Sequence, residues 1–308
     1  HGIAPEDLQY SGHGFANLLY IATIAVELER TDNAELTLFL VEEPEAHLHP
    51  QLQAAVLNFL EEQAQESLKE NADKNAPAGQ LQVIVATHSP NLSAWVPSKR
   101  LVFVRSAAPP PATHAPVQVP KPSHADDSKH QESSTTAMLR RESRCISLAK
   151  LKLTEPERRK VDRYLDVTKS AMLFGGRVLL VEGIAEAILL PVIAKMFVLN
   201  DKPDAFRVFR SAVFVPIDGV DFAPFAKVLL STCNGVRIAD RLVIVTDGDK
   251  HTVDPGKESP GESRKSELQS IATATGSDDV LQVCLNTYSL ETELVNAGNA
   301  SAMKEAYL

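Results

Sequence analysis

Two apolar, strand-length segments in the second half of the chain end in acidic residues and constrain the fold more than any other feature. The segment 177–182 (RVLLVE) ends in Glu182, and the segment 241–247 (RLVIVTD) ends in Asp247, with Asp249 two residues later. Continuous apolar strands that alternate with helices are typical of a parallel sheet buried on both faces. Ligands bind at the carboxyl edge of such sheets, so we expect these three carboxylates to lie close together.

Two further segments complete the predicted sheet. Residues 212–218 (AVFVPID) and 280–286 (VLQVCLN) are apolar runs of strand length, and helices are predicted between the strands, at 185–196 and 222–230. This alternation predicts an α/β domain with a Rossmann-like parallel sheet.

A fourth carboxylate belongs near the same sheet edge. Glu186 lies in the first turn of the helix predicted after Glu182, and Gly183 permits the sharp turn between them. Helical side chains lean towards the N-terminus of their helix, so Glu186 should face the strand end. Close carboxylates repel one another, and the pKa of at least one of them should rise. Mg²⁺ or Mn²⁺, which prefer oxygen ligands, would relieve that repulsion.

The first third of the chain predicts a second parallel sheet. Strand-length apolar runs lie at 36–41, 83–86 and 101–104, and a helix is predicted at 50–69. The first run ends in the adjacent carboxylates Glu42 and Glu43. One carboxylate can hold Mg²⁺ while its neighbour polarises an attacking water, which is the division of labour that phosphoryl transfer needs.

Composition divides the chain. Residues 106–136 are rich in Pro, Ser, Thr, His and charged residues and cannot bury enough apolar surface to fold alone. We therefore predict four parts: a first α/β domain at 1–105, a flexible insertion or linker at 106–146, a helical connector at 147–172 and a second α/β domain at 173–308.

Charge and cysteine content limit the setting. The net charge of −9 does not favour phosphate binding by the whole surface, although metal ions and a local basic patch can still bind DNA. The three cysteines form no CxxC pair and are expected to be reduced thiols. No apolar run approaches the roughly 18 residues of a membrane helix. We expect a cytoplasmic protein of bacterial type and, since the sequence begins without Met or signal peptide, a piece of a longer chain.

The first third resembles the ABC/SMC-type ATPases. Glu42 and Glu43 match their Walker B pair, His88 in ATHSP matches the switch histidine, and YSGHG places Ser11 and Gly12 where a signature motif contacts nucleotide held by the opposite subunit. The resemblance implies ATP binding and a homodimer of the full-length protein, with Glu43 as the catalytic carboxylate. The sequence contains no GxxxxGK[ST] phosphate loop, so we expect no ATP hydrolysis by this chain alone.

The second half resembles the Toprim domain, and the combination resembles the OLD (overcoming lysogenization defect) family of nucleases. Glu182, Asp247 and Asp249 match the Toprim pattern residue for residue, and VEGIAE makes Glu186 the fourth ligand of a two-metal site. The resemblance implies Mg²⁺ or Mn²⁺ as cofactor, with Glu182, Asp247 and Asp249 as catalytic residues, and DNA as substrate.

Other candidates carry less of the pattern. YSLETEL resembles a later acidic motif of the family, with Glu291 and Glu293 as possible ligands and Glu293 preferred, and Asp218 ends the strand between the two main motifs. The family uses a lysine to steady the phosphate. Lys304 stands in a poor context for that role, and Lys250 is more typical of a solvated lysine.

Three functions are open at this point. The first is a metal-dependent DNA endonuclease or nickase regulated by ATP in the full-length protein, with weak sequence specificity and a role in phage defence or DNA repair. The second is a non-catalytic scaffold in repair or recombination, and the third is an ATPase with a degenerate nuclease domain. A topoisomerase would need a nucleophilic tyrosine over the acidic site, and none of the five tyrosines lies in a recognisable cleavage domain.

Overall fold

The computed structural model describes residues 12–29, 36–70, 80–108, 141–250 and 256–306. The first part of the chain forms a small α/β unit. Its elements are α1 (His13–Glu29), β1 (Leu36–Glu42), α2 (Pro50–Glu70), β2 (Gln80–Ala86) and α3 (Pro90–Ala94).

Strands β1 and β2 pair in parallel, from Leu36 opposite Gln80 to Glu42 opposite Ala86. The predicted strands at 36–41 and 83–86 and the predicted helix at 50–69 are therefore confirmed. A core of six buried side chains joins the sheet to α1 and α2, because both helices turn an apolar stripe towards it; the six are Ile21, Ala25, Val41, Leu48, Val56 and Leu60.

The strand predicted at 101–104 lies elsewhere. It forms β3 (Val102–Ala107), which pairs antiparallel with β4 (Glu142–Ser147) instead of joining the parallel sheet. Strand β3 covers the first residues of the predicted linker at 106–146 and β4 covers its last ones, so the linker prediction is wrong at both ends. Ile146 is the one residue of β4 that is completely buried. The sequence of β4, ESRCIS, has too few apolar residues to indicate a strand. Residues 109–140 of the predicted linker lie outside the described residues.

The helical connector predicted at 147–172 takes part in the C-terminal core. It contains α4 (Glu155–Tyr164) and α5 (Val167–Ser170), flanked by 3-10 turns at Leu148–Lys150 and Ala171–Leu173. Its buried apolar residues, among them Leu148, Val161 and Met172, belong to the same cluster as the C-terminal strands. The connector and the second α/β unit thus share one hydrophobic core.

The C-terminal unit has four parallel strands in the order β6-β5-β7-β8. The strands are β5 (Arg177–Val181), β6 (Val213–Pro216), β7 (Arg241–Thr246) and β8 (Leu281–Leu285). The helices are α6 (Ile184–Ile193), α7 (Pro203–Arg210), α8 (Ala223–Leu230), α9 (Pro260–Thr275), α10 (Leu290–Leu294) and α11 (Ala300–Ala306), with π-helical turns at Ala194–Val198 and Val295–Asn299. All four predicted strands are confirmed, and the fold is α/β with parallel sheets.

The two central strands are almost completely enclosed. Leu180 of β5 and Leu242 and Ile244 of β7 have no exposed surface, which explains their continuous apolar sequences. In the part of the chain that the structure describes, no helix is long and apolar enough to cross a membrane.

Candidate functional site

The acidic residues predicted from the sequence meet at one edge of the C-terminal sheet. Glu182 directly follows β5, and Asp247 directly follows β7, which is the neighbouring strand. Asn286 follows β8 on the other side of β7. Because the three strands are parallel, their carboxyl ends bring these polar side chains together.

Glu182 is bound directly to the end of β7. Its Oε1 accepts a hydrogen bond from the backbone N–H of Asp247 at 2.8 Å and another from the hydroxyl of Thr246. The Glu182 side chain is only 18% exposed. These contacts hold one carboxylate oxygen in a fixed place between the two strands.

Arg264 lies among the carboxylates, on the second turn of α9. Its Nη1 is 2.9 Å from Glu182 Oε1 and 3.2 Å from the carbonyl oxygen of Asp247, and its Nη2 is 3.3 Å from Asp249 Oδ2. The arginine side chain is 11% exposed. The sequence analysis did not find this residue; the one available signal was a basic residue in the helix that follows the DGD segment.

Asp247 has the perturbed pKa that was expected of this cluster. Burial raises the pKa of its carboxyl group most, and the charges of Glu182, Glu186 and Asp249 raise it further. Asn286 acts in the opposite direction, since its Nδ2 donates a hydrogen bond to Asp247 Oδ1 at 2.9 Å. Burial and the neighbouring carboxylates thus both make the charged form of Asp247 costly in the absence of a cation.

Glu186 lies next to the cluster with one oxygen bound to the backbone. Its side chain is buried, and Oε2 accepts a hydrogen bond from the N–H of Gly183 at 3.1 Å, which caps the start of α6. Its charge contributes to the raised pKa of Asp247. Glu186 therefore faces the strand ends, as its position in the first helical turn predicted.

Close backbone packing fixes the DGD loop. The N–H groups of Gly248 and Asp249 both donate to the carbonyl of Tyr288, at 3.0 and 3.1 Å. A Cβ on Gly248 would lie 2.3 Å from the carbonyl oxygen of Asn286, and a Cβ on Gly261 would lie 2.3 Å from that of Asp247. Two glycines thus permit the approach of the loop after β8 and of α9 to the aspartates.

Asp218 is adjacent to the cluster, but its carboxylate is engaged elsewhere. The N–H of Gly219 donates to the carbonyl of Glu182, so the two strand ends are neighbours. Asp218 Oδ2, however, lies 2.8 Å from Nζ of Lys169, which also pairs with Asp166. Burial lowers the pKa of Lys169, but the two aspartates outweigh that effect and raise it.

The remaining candidates have other visible contacts. Glu293 Oε1 accepts a hydrogen bond from the N–H of Thr287 at 2.8 Å and thereby holds the loop after β8. Glu291 is exposed in the first turn of α10. Lys250 lies 3.3 Å from Glu262, and Lys304 is exposed on α11.

The carboxylate oxygens of the cluster suit a divalent cation, but Arg264 already contacts two of the carboxylates. Glu182, Glu186, Asp247 and Asp249 offer carboxylate oxygens, which hard cations such as Mg²⁺ and Mn²⁺ prefer. Within the described residues, no group of three or more histidine, cysteine or acidic side chains is arranged to hold a metal ion as it stands. The guanidinium of Arg264 is the positive charge that contacts Glu182 and Asp249 instead.

The first α/β unit brings the ends of β1 and β2 together. Glu43 follows β1 with a left-handed backbone (φ 46°), and its Oε1 lies 3.9 Å from Nε2 of His88. Glu45 holds the second loop in place, because its Oε1 accepts hydrogen bonds from Thr87 Oγ1 at 2.6 Å and from the N–H of His88 at 3.0 Å. Glu43 and His88 are thus brought together at the ends of the two strands, and Glu45 fixes the loop that carries His88.

The start of α1 approaches the same loops. A Cβ on Gly14 would lie 2.3 Å from the carbonyl oxygen of His47, so α1 passes against the loop that follows Glu43. The rings of His13 and His47 are 5.7 Å apart. Gly12 lies at the exposed start of α1 and Glu42 is exposed at the end of β1, whereas Ser11 lies outside the described residues.

Comparison with known proteins gives a family match and similarity to solved structures. Residues 5–92 match the family described as an AAA ATPase domain. The chain is also similar to the solved C-terminal region of the Burkholderia pseudomallei OLD protein, with 23% identity and a TM-score of 0.32, over 43% of this chain and 63% of that chain. The chain thus spans less than two thirds of that structure. No curated protein matches the chain. The family match agrees with the ATPase resemblance of the first third of the sequence.

Proposed function

We propose that this chain is the nuclease-bearing part of a metal-dependent DNA endonuclease or nickase that ATP regulates in the full-length protein. The observation that carries the proposal is the meeting of Glu182, Asp247 and Asp249 at the ends of two adjacent parallel strands, with Glu186 facing them. A concentration of partly buried carboxylates with a raised Asp247 pKa is typical of a site that gains stability when it binds a divalent cation.

In this proposal Glu182, Asp247 and Asp249 hold Mg²⁺ or Mn²⁺, and Glu186 contributes to a second ion. A pair of such ions supplies an activated water and stabilises the leaving 3′-oxygen when bound. The chain contributes the positions of the carboxylates: Thr246 and the backbone of β7 hold Glu182, and Asn286 orients Asp247.

Asp218 and Glu293 serve this proposal better as positioning residues than as ligands. Asp218 is paired with the buried Lys169, and Glu293 holds the N–H of Thr287. Removing either pair would shift a loop that flanks the metal ligands.

For the ATPase part, we propose that Glu42, Glu43 and His88 act on ATP, and that Ser11 and Gly12 contact nucleotide held by a second copy of the full-length protein. The match of residues 5–92 to an AAA ATPase domain supports nucleotide binding. The distance of 3.9 Å between Glu43 Oε1 and His88 Nε2 supports a role of both residues at the same nucleotide. A homodimer follows from a nucleotide enclosed between two copies.

The test of the nuclease proposal is incubation of supercoiled plasmid with the chain and Mg²⁺ or Mn²⁺, with an EDTA control. Wild type should yield nicked or linear DNA, whereas Glu182→Gln and Asp247→Asn should yield none. Glu291→Gln is the matched control, because it removes one exposed carboxylate from the same unit. Equal cleavage by wild type and both site variants would show that the activity has another source.

A non-catalytic scaffold is the second candidate. The bridge between Arg264, Glu182 and Asp249 favours it, because an arginine among acids can serve as a purely structural ion pair. Folded wild-type protein that neither binds Mn²⁺ nor cleaves DNA would support the scaffold and contradict the nuclease.

A further inference from the structure

Arg264 forms a more extensive set of contacts than an ordinary surface arginine. Nη1 contacts Glu182, which follows β5, and Nη2 contacts Asp249, which lies in the loop after β7. Nη1 also donates to Thr246 Oγ1 and to the carbonyl of Asp247. Ion pairs of exposed residues contribute little to stability, but this guanidinium is nearly buried. The contacts therefore place a permanent positive charge inside the acidic cluster.

That charge occupies carboxylate oxygens that could otherwise bind a divalent cation. Glu182 Oε1 and Asp249 Oδ2 both accept from Arg264. An arginine does not give up its proton in proteins, so its charge can leave the cluster only if the side chain moves. A divalent cation beside an unmoved guanidinium would meet strong repulsion at such short distances.

We propose that Arg264 is a built-in counter-ion that occupies the cluster when no metal is bound and competes with the divalent cation for Glu182 and Asp249. This inference rests on the proposed function. Metal binding then replaces the guanidinium with the cation, and the side chain of Arg264 moves out of the cluster. The exchange sets the metal concentration at which the site becomes occupied, and it keeps four close carboxylates tolerable without metal.

The test measures Mn²⁺ binding to the whole chain by calorimetry and by electron paramagnetic resonance at low salt. Arg264→Gln should bind Mn²⁺ at least about tenfold more tightly than wild type, because the competing charge is gone. Lys265→Gln is the charge-matched control, since it removes one positive charge from the next residue of α9. Its affinity should stay within about twofold of that of wild type, because water weakens the field of a charge that lies outside the cluster.

A second readout separates competition from a general weakening of the fold. In EDTA, Arg264→Gln should have a lower Tm than wild type, and Mn²⁺ should raise its Tm by more than it raises that of wild type. If Arg264→Gln fails to fold without metal, Arg264→Lys decides the matter. Lysine keeps the charge but cannot bridge both carboxylates, so Arg264→Lys should bind Mn²⁺ more tightly than wild type by a smaller factor.

Two results would overturn the inference, and they are distinguishable. Unchanged or weaker Mn²⁺ binding by Arg264→Gln, beside normal binding by wild type, would reject competition and leave the proposed metal centre intact. No Mn²⁺ binding by wild type, Arg264→Gln or Arg264→Lys would reject both the competition and the metal centre.

Discussion

Asn286 donates a hydrogen bond from Nδ2 to Oδ1 of Asp247 at 2.9 Å, so the residue that follows β8 orients the first aspartate of the acidic cluster. This bond lowers the pKa of Asp247 against the stronger effect of burial. The relationship links the edge strand of the sheet to the proposed chemistry, and it leads to the first prediction.

Asn286→Ala should raise the pKa of Asp247 further, because the variant loses a bond to the ionised form. Mn²⁺ binding needs the ionised carboxylate, so the pH midpoint of binding should move upward. The affinity should fall most on the acidic side of that midpoint, where the variant binds a proton that wild type has released. Calorimetric titrations across pH measure both effects. Asn299→Ala, which removes a distant bond to the carbonyl of Leu294, is the control and should change neither.

Gly261→Ala should destabilise the C-terminal unit and displace the aspartates. The added methyl group would lie 2.3 Å from the carbonyl oxygen of Asp247 and 2.6 Å from the Cα of Gly248, and neither backbone atom can move without the loop. Overpacking of this kind typically costs about 1–3 kcal/mol. Urea unfolding measures the loss. Gly12→Ala, which meets nothing within 4 Å, is the comparison, and an equally large loss there would remove the packing explanation.

Glu157 should stabilise the protein above acidic pH. Burial raises its pKa, but the hydrogen bonds from Lys227 and Thr154 outweigh burial and lower it below 4.5. A lowered folded-state pKa gives stability that is present above the unfolded value and is lost as the pH falls through the folded value. Glu157→Gln should therefore cost about 1–2 kcal/mol at neutral pH and almost nothing at a pH below the folded-state pKa.

Urea unfolding at the two pH values measures this difference. Glu155→Gln is the control, because Glu155 forms an exposed ion pair with Lys99 at 3.2 Å and should contribute only about 0.5 kcal/mol. A cost for Glu157→Gln that is the same at both pH values would mean that packing, not charge, explains the contribution.

Glu45 should hold together the two loops that follow β1 and β2 in the first unit. Its Oε1 accepts from Thr87 and from the N–H of His88, so Glu45→Ala should cost about 1–3 kcal/mol by leaving these donors without a partner. Glu45→Gln keeps an oxygen acceptor and should lose less. Thermal unfolding compares the two variants, and equal losses would show that the negative charge matters more than the acceptor.

The strands and the acidic cluster were predictable for a shared physical reason. Enclosed parallel strands need continuous apolar sequences, and 177–182 and 241–247 display them. The carboxylates follow those strands directly in the chain. Once the strands are placed side by side, Glu182 and Asp247 have to be neighbours. Their proximity could therefore be predicted from the two strand segments alone.

The rest of the site depends on contacts between distant segments. Arg264 reaches Glu182 across 82 positions of the chain, and Asn286 reaches Asp247 across 39, so neither contact leaves a local pattern. The pairing of β3 with β4 has the same character, because its partners are separated by a long Pro- and Ser-rich segment. A polar residue on a helix or an edge strand can face solvent, cap a helix or enter a site, and only the packed fold shows which of these it does.

The most direct measurement is the anomalous diffraction of Mn²⁺ in crystals of the chain grown with and without the metal. We predict an anomalous peak in contact with the carboxylates of Glu182, Asp247 or Asp249. In the metal-loaded crystal, the guanidinium of Arg264 should no longer contact Glu182 and Asp249. Without metal, Arg264 should bridge Glu182 and Asp249. An absence of the peak at saturating Mn²⁺, with Arg264 still between the two carboxylates, would contradict the assignment of this cluster as a metal centre.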